Sequence, residues 1–225
     1  MSPFRNVSGA DATLSGDMEL ILVRHALPER VENVDGVADP GLQELGWAQA
    51  RRLADWLERE HIDHIAVSPK RRAVETATPL AERLGLEPEV VPGFAEIDRG
   101  ARTYIPVEEM RRENNAHWQA LMSGDWASVG YHDPAEFHRE VVAARDELLS
   151  RFGDHRVLVV AHGGTINAIV SAYLGFETPR FMFDFGYTSI TRAGKGYTDR
   201  IIIRSLNETA HLHAERDSLE PLPPI

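Results

Sequence analysis

The chain has 225 residues, of which 43% are hydrophobic and 26% charged, and these values are typical of one large globular domain. Its formal net charge of −11 argues against a nucleic-acid partner, because such binding requires a broad basic surface. The sequence contains no cysteine, which excludes disulfides, thiolate catalysis and cysteine-ligated zinc.

The N-terminal segment, residues 1–18, has neither the basic start nor the apolar core of a secretory signal, and we interpret it as a loose leader. No apolar run reaches the length of a membrane span, so we predict no membrane contact. We therefore predict a cytoplasmic protein. The sequence leaves a homodimer open.

The first half of the chain alternates between strand and helix patterns. A short apolar run ending at Arg24 predicts a buried strand, because four to eight apolar residues bounded by turn residues are typical of one. In order, the sequence predicts a strand over 19–24, a loop over 26–41, a helix from 42, a strand over 64–68, a helix from Pro69 to Gly85, and a strand over 86–91.

The second half continues the alternation after an irregular region. It predicts a loop over 94–100, a helix over 107–122, a loop over 123–133, helices over 134–152 and 165–174, and strands over 157–161, 181–190 and 200–206. Gly194-Lys195-Gly196 resembles a hairpin connection between the last two strands. Residues 207–225 are polar and proline-rich and are predicted to lie loose on the surface.

This alternation predicts an α/β fold, a three-layer α/β/α sandwich around a mostly parallel sheet. We expect a single domain over residues 19–206, between the leader and the tail. Residues 101–133 interrupt the regular pattern and are predicted to form a lid over the strand ends.

Two of the predicted strands end in histidine. Arg24-His25 follows the first strand, and His162-Gly163 follows the strand over 157–161. The carboxyl ends of strands in an open α/β sheet form the usual ligand site, so two histidines at one edge indicate a functional site. Taken alone, an Arg-His pair after a strand is more often a surface turn than a catalytic pair.

The surrounding residue types fit phosphoryl transfer, which needs a nucleophile, cations for the phosphoryl oxygens and a proton donor. Neutral imidazole can attack phosphorus, and arginine is the preferred phosphate clamp. His25, His162, Arg24, Arg72 and Glu96 occupy suitable positions at or near predicted strand ends. A solvated basic face around Arg72 and an ordinary surface role for Glu96 remain open.

Five segments resemble motifs of the histidine phosphatase superfamily, whose members include cofactor-dependent phosphoglycerate mutases and many small-molecule phosphatases. They are Arg24-His25-Ala26, Leu42-Gln43-Glu44-Leu45-Gly46-Trp47-Ala48-Gln49-Ala50, Ser68-Pro69-Lys70-Arg71-Arg72-Ala73-Val74-Glu75-Thr76-Ala77, the Glu96 to Gly100 loop, and Ala161-His162-Gly163-Gly164. The resemblance covers residues 20–206 and implies a phosphoglycerate-mutase-like fold.

The resemblance also implies the roles of the site residues. His25 would be the nucleophile that becomes phosphorylated, while Arg24, Arg72 and His162 would hold the phosphoryl group, with Gly163 beside them. Glu96 would protonate the leaving alcohol and then activate water. The family needs no metal, and we predict no cofactor for this chain. The pairs His61 with His64 and His211 with His213 are accordingly interpreted as surface histidines.

The chain departs from the family pattern after the nucleophile. Ala26 replaces a glycine, and Leu27-Pro28 replaces residues whose side chains can donate hydrogen bonds to phosphate. Arg30 and Asn33 are candidates to substitute for those donors. Aromatic and basic residues of the irregular region are further candidates for the pocket wall: Tyr104, Trp118, Trp126, His117, Arg99 and Arg102.

Three functions are therefore considered. The first is a phosphatase acting on a small phosphorylated metabolite through a phosphohistidine. The second is a phosphoglycerate mutase, which ranks lower because its additional substrate-binding residues are not found in 26–41. The third is a non-catalytic phosphate-binding or interaction module that keeps the fold.

Overall fold

The computed structural model describes residues 18–196 and 201–213. The leader up to residue 17, residues 197–200, which include the start of the strand predicted over 200–206, and the end of the tail from residue 214 lie outside the described residues. Within the part described, no helix is long and apolar enough to cross a membrane.

The described residues contain six strands and six α-helices. They are β1 (Glu19–Arg24), α1 (Glu44–Leu57), β2 (His64–Val67), α2 (Arg71–Leu84), β3 (Glu89–Val90), α3 (Val107–Glu113), α4 (Ala116–Ser123), α5 (Pro134–Phe152), β4 (Arg156–Ala161), α6 (Gly163–Tyr173), β5 (Ile190–Lys195) and β6 (Ile201–Glu208). Short 3₁₀ turns lie at Pro92–Phe94, Trp126–Val129 and Ala210–Leu212.

The strands form one sheet in the order β3-β2-β4-β1-β5-β6. The first four strands are parallel, and β5 and β6 add an antiparallel edge. Arg24 is paired with Ala161, so β1 and β4 end at the same level in the middle of the sheet. The register of β1 against β4 therefore places His25 and His162 side by side.

Helices cover both faces of the sheet, which confirms the predicted three-layer architecture. Alternate residues of β1 and β4, such as Ile21 and Leu158, pack with α1 and α2. The intervening residues, such as Leu22 and Val159, pack with α5 and α6. Successive side chains of a strand point to opposite faces of the sheet. Because both faces are covered by helices, every position of these strands is apolar, which explains the continuous apolar runs in the sequence.

The predicted helix over 107–122 is two helices. Asn114 takes the left-handed conformation with φ 47° and ends α3. The Asn115 side chain then accepts a hydrogen bond from the Trp118 amide and caps the start of α4. Asparagine favours both conformations because its short polar side chain bonds the nearby backbone.

The predicted strand over 181–190 is wrong, because strand geometry begins at Ile190 and includes Gly194 and Lys195. The Asn167 side chain pairs with the backbone of Phe183, accepting from its amide at 3.1 Å and donating to its carbonyl at 2.9 Å. Thr188 has a φ of 55°, which is incompatible with a continuing strand. Gly194 and Lys195 of the predicted hairpin connection are thus part of β5, which ends before Gly196.

The beginning of the predicted loose tail is packed. β6 extends to Glu208, and the following turn buries His211, which is 5% exposed. His211 lies against Trp56, with ring centroids 6.4 Å apart, and its Nε2 is 3.0 Å from Thr188 Oγ1. The prediction that His211 is a surface histidine is therefore wrong.

Smaller differences concern element ends. The strand predicted over 86–91 is only two residues long, α2 begins two residues after Pro69, and α6 begins at Gly163 instead of residue 165. The α5 boundaries and the αL glycine cap at Gly85 agree with the prediction.

Candidate active site

The two histidines lie together at the carboxyl ends of β1 and β4. Their ring centroids are 5.0 Å apart, and the planes are inclined by 60°. The His25 amide donates to the Ala161 carbonyl at 2.9 Å, so the backbone itself joins the two strand ends. His25 is 3% exposed and His162 is fully buried.

His25 has one ring nitrogen fixed by the backbone. Its Nδ1 is 2.8 Å from the Ala26 carbonyl oxygen, which can only accept, so Nδ1 carries the proton and Nε2 keeps its lone pair. Burial, with the positive charges of Arg72 and Arg24, holds the pKa of His25 well below its usual value. The neutral imidazole is the nucleophilic form.

His162 lies at the start of α6, and its ring is next to that of His25. Its Nε2 is 2.6 Å from Ser68 Oγ, while its buried Nδ1 has no hydrogen-bond partner among the described residues. Burial and the charge of Arg72 lower the pKa of His162 well below its usual value. The ring therefore has one nitrogen available to a ligand.

Arg24 is held beside the histidines by an aromatic ring and a carboxylate. Its guanidinium lies 4.0 Å from the centroid of Tyr187, and its Nη1 donates to Glu108 Oε1 at 2.7 Å. Tyr187 Oη donates to the other oxygen of Glu108 at 2.9 Å. Arg24 Nε has no partner among the described residues.

Arg72, on the first turn of α2, is fully buried. Its Nη2 donates to Asp98 Oδ2 at 3.0 Å, and its guanidinium lies 4.4 Å from the centroid of Tyr104. Its Nε and Nη1 have no partner among the described residues. Buried donors without acceptors are costly, so this guanidinium is suited to an anionic ligand.

Glu96 follows β3 and faces the start of α6. Its carboxylate accepts from the Ile97 amide at 2.8 Å and from the Gly164 amide at 2.8 Å. Burial and the neighbouring charge of Asp98 raise the pKa of Glu96, which favours its protonated form. A Cβ at Gly164 would lie 2.2 Å from Glu96 Oε1, so the close approach requires glycine there.

These groups surround one cavity of about 370 Å³. Five of the predicted site residues line it: Arg24, His25, Arg72, Glu96 and Gly163. His162 is not among the lining residues, and its ring lies 5.0 Å from that of His25. The arrangement places a neutral imidazole, two guanidinium groups and a carboxyl group around a space suited to a phosphoryl group.

The structure does not bring Arg30 and Asn33 into this cavity. Arg30 is paired with Glu32, Glu109 and Glu113 at the surface. The Asn33 backbone amide donates to Thr103 Oγ1 at 3.0 Å, and Asn33 is not among the residues lining the cavity. Neither residue replaces the phosphate donors that the first loop lacks.

Ala26 fits its position without strain. Its backbone has no positive φ, and its amide donates to Thr76 Oγ1 at 2.9 Å. The replacement of glycine therefore leaves the position of His25 intact.

Other cavity residues were only partly indicated by the sequence. Asp98 lies two residues after Glu96 in the same loop, whereas nothing in the sequence indicated that Glu108 and Tyr187 would hold Arg24. Of the aromatic and basic candidates, Tyr104, Trp118 and Trp126 line the cavity, and His117, Arg99 and Arg102 do not. Within the described ranges, no group of three or more His, Cys, Asp or Glu side chains is placed to hold a metal.

Comparison with known proteins gives matches over nearly the whole described domain. The model of the histidine phosphatase superfamily (branch 1) matches residues 20–209. Phosphoserine phosphatase 1 of Hydrogenobacter thermophilus is 32% identical over 200 residues, which cover 87% of this chain and 94% of that protein. A probable phosphoglycerate mutase of Yersinia enterocolitica is 28% identical over 167 residues, covering 70% of this chain and 75% of that one.

Solved structures share the fold. A phosphoserine phosphatase mutant of Entamoeba histolytica, crystallised with phosphoserine, superposes with a TM-score of 0.69 at 24% identity and covers 87% of this chain and 99% of that chain. A mycobacterial glucosyl-3-phosphoglycerate phosphatase gives a TM-score of 0.69 at 24% identity, covering 86% of this chain and 100% of the other.

Proposed function

Because this chain belongs to the histidine phosphatase superfamily, we propose that it hydrolyses a small phosphorylated metabolite through a phosphohistidine formed on His25. Glu96 is the proton donor in this proposal. The relative named phosphoserine phosphatase supports hydrolysis as the reaction class.

One observation carries the proposal most strongly. The lone pair of His25 Nε2 belongs to a buried neutral ring that is influenced by the charges of two guanidinium groups, and each guanidinium keeps an N–H without a partner among the described residues. Such donors neutralise the charge of the phosphoryl oxygens, and the neutral ring supplies the nucleophile.

In the first step, His25 Nε2 attacks phosphorus, and a P–N bond forms as the bond to the ester oxygen breaks. The leaving oxygen takes the proton of Glu96, whose raised pKa keeps that proton available. Arg24, Arg72 and His162 Nδ1 hold the three remaining phosphoryl oxygens in this proposal.

In the second step, the carboxylate of Glu96 accepts a proton from water, and the water oxygen attacks phosphorus. The P–N bond breaks, and its electron pair returns to His25 Nε2. Glu96 is then protonated again, inorganic phosphate leaves, and the enzyme is ready for another cycle.

The proposal is tested by phosphate release from p-nitrophenyl phosphate and from a panel of phosphorylated metabolites. We expect His25→Ala to lower the rate by at least about a thousandfold. Glu32→Gln, which alters an acid outside the cavity, is the control for general effects of substitution. Normal turnover by His25→Ala contradicts the proposal.

A phosphoglycerate mutase is the second candidate, supported by the probable mutase of Yersinia enterocolitica. A mutase must exclude water and bind the substrate carboxylate while the phosphoenzyme persists. The surface position of Arg30 removes one cation that could have bound that carboxylate. Isomerisation of 3-phosphoglycerate without net phosphate release would place the mutase first.

The proposed lid is the segment 101–133, since α3 and α4 of that segment supply part of the cavity wall. The cytoplasmic location and the homodimer that the sequence left open stay predictions, to be tested by cell fractionation and by light scattering.

A further inference from the structure

The outer half of the cavity has an apolar wall. Six large side chains from α4, the following turn and the segment before β5 line it: Trp118, Leu121, Met122, Trp126, Phe181 and Met182. Trp126 stacks on Phe181, with ring centroids 5.4 Å apart and planes inclined by 27°. The wall is therefore continuous across the two chain segments.

Several of these side chains are exposed at the mouth of the cavity. The exposed fraction is 62% for Met122, 56% for Met182 and 45% for Phe181. An apolar ligand would remove this surface from water, which is favourable in proportion to the area covered. A ligand that is polar throughout would gain nothing from it.

The charged groups on the cavity wall oppose a second anionic group on the ligand. Apart from Arg24 and Arg72, the lining residues include one cation, Arg111. Arg111 is half-exposed, and its Nη1 lies 3.4 Å from Asp184 Oδ2, so it already has a carboxylate partner. Glu108 and Asp184 line the same cavity, and each is paired with an arginine of the lining, so Arg111 is not left as an unpaired cation for a substrate carboxylate.

We propose that the substrate is a phosphomonoester of a bulky apolar alcohol, with an aromatic or branched hydrocarbon body, and not a phosphorylated carboxylic acid. This inference rests on the proposed function, because the phosphoryl group must occupy the space beside His25. The phosphoryl group then lies at the cationic end, and the hydrocarbon body extends along the apolar wall towards Phe181 and Met182.

The test compares esters of primary alcohols, so that the leaving groups have similar reactivity. We measure kcat/KM for 2-(2-naphthyl)ethyl phosphate, phosphoserine and 3-phosphoglycerate. We expect the naphthylethyl ester to exceed phosphoserine by about a hundredfold or more, because each apolar group that fits a pocket contributes about tenfold or more to discrimination. An equal or higher value for phosphoserine overturns the inference.

Variants locate the preference on the apolar wall. Phe181→Ser and Met182→Glu change exposed residues and are expected to lower the ratio of the two kcat/KM values by roughly fivefold or more each. Ile202→Ser removes an apolar residue that is 43% exposed on β6, outside the cavity, and is expected to leave the ratio unchanged. An unchanged ratio in both wall variants contradicts the inference.

Arg111→Ala tests the alternative that the cavity binds phosphoserine through Arg111 and Asp184. If the Arg111–Asp184 pair bound the carboxylate and ammonium of phosphoserine, this substitution would abolish phosphoserine hydrolysis and spare the naphthylethyl ester. We expect it to change the ratio by less than about twofold. A selective loss of phosphoserine hydrolysis from an enzyme that prefers phosphoserine would overturn the inference.

A binding measurement separates this inference from the proposed function. Tryptophan fluorescence of His25→Ala is titrated with 2-(2-naphthyl)ethylphosphonate and, separately, with the phosphonate analogue of phosphoserine. Absence of hydrolysis of every ester would refute the proposed function, and tighter binding of the naphthyl compound would still support the apolar ligand class. Equal binding of the two phosphonates refutes the ligand class.

Discussion

At the scale of single residues, the site depends on side chains whose charge states are set by burial. His25 and His162 are kept neutral by burial and by Arg72, and Glu96 is biased towards its protonated form by burial and Asp98. A neutral nucleophile and a protonated acid are the two states that the first chemical step needs. The same buried guanidinium, Arg72, lowers the pKa of both histidines and, in the proposed mechanism, contacts the phosphoryl group.

The role of Glu96 predicts a dependence on the leaving group. Glu96→Gln is expected to lower kcat/KM for 2-phenylethyl phosphate by about 10²–10⁴-fold, because an alkoxide leaves poorly without a proton. The loss for p-nitrophenyl phosphate should be much smaller, since nitrophenolate needs no proton to leave. Steady-state kinetics on both esters measures the difference. Equal losses on the two esters would show that Glu96 does not protonate the leaving oxygen.

At the scale of elements, the end of β1 and the first turns of α2 are joined by one hydroxyl group. Thr76 Oγ1 accepts from the Ala26 amide at 2.9 Å and donates to the Arg72 carbonyl at 2.6 Å. Ala26, which follows His25, and Arg72 are thus tied to the same side chain. Thr76 is fully buried, so water cannot take over either bond.

Thr76→Val is therefore expected to lower the free energy of unfolding by about 1–3 kcal/mol, because it leaves the Ala26 amide buried without an acceptor. Thr78→Val is the matched control, since Thr78 Oγ1 bonds only the Val74 carbonyl on the surface of the same helix. Urea unfolding of the two variants gives the comparison. A loss of stability as large for Thr78→Val would refute the role of the buried bond.

Elements whose start and end signals agree with their apolar pattern could be predicted from the sequence. The α5 helix begins after a capping Asp133 with Pro134 in its first turn, and both features mark a helix start. The 107–122 and 181–190 predictions failed for a different reason. Their conformations depend on Asn114 in the left-handed region and on Asn167, which bonds Phe183 from another helix.

At the scale of the whole molecule, the position of the site follows from topology. Parallel strands β1, β2, β3 and β4 end at one edge, so residues after each of them meet there. This rule brings together His25, Ser68, Glu96 and His162 without any knowledge of packing. The apolar outer wall could not be predicted in this way, because it depends on how α4 and the segment before β5 pack against each other.

The stability of the molecule is predicted to fall in acid through His211. Burial lowers the pKa of His211 to about 4, whereas an unfolded histidine titrates near 6.5. Between these values the unfolded state binds a proton at His211 that the folded state does not, so the contribution of His211 to stability falls as the pH is lowered through this range and is constant outside it. The contribution of this one group is about 3 kcal/mol.

Urea unfolding between pH 7 and 4 measures this dependence. His211→Gln should make the fall in stability shallower, while His61→Gln, at a side chain that is 76% exposed, should leave it as in the parent protein. A fall in stability as steep in His211→Gln as in the parent protein would contradict the burial of His211.

The central claim is that His25 carries the phosphoryl group during turnover. The most direct measurement is rapid alkaline quenching of the enzyme during hydrolysis of a ³²P-labelled ester, followed by peptide mapping of the label. We predict label on the peptide that contains His25 and none in His25→Ala. Phosphate release without labelled protein in a quench fast enough to sample each turnover, or label on another residue, would contradict the account.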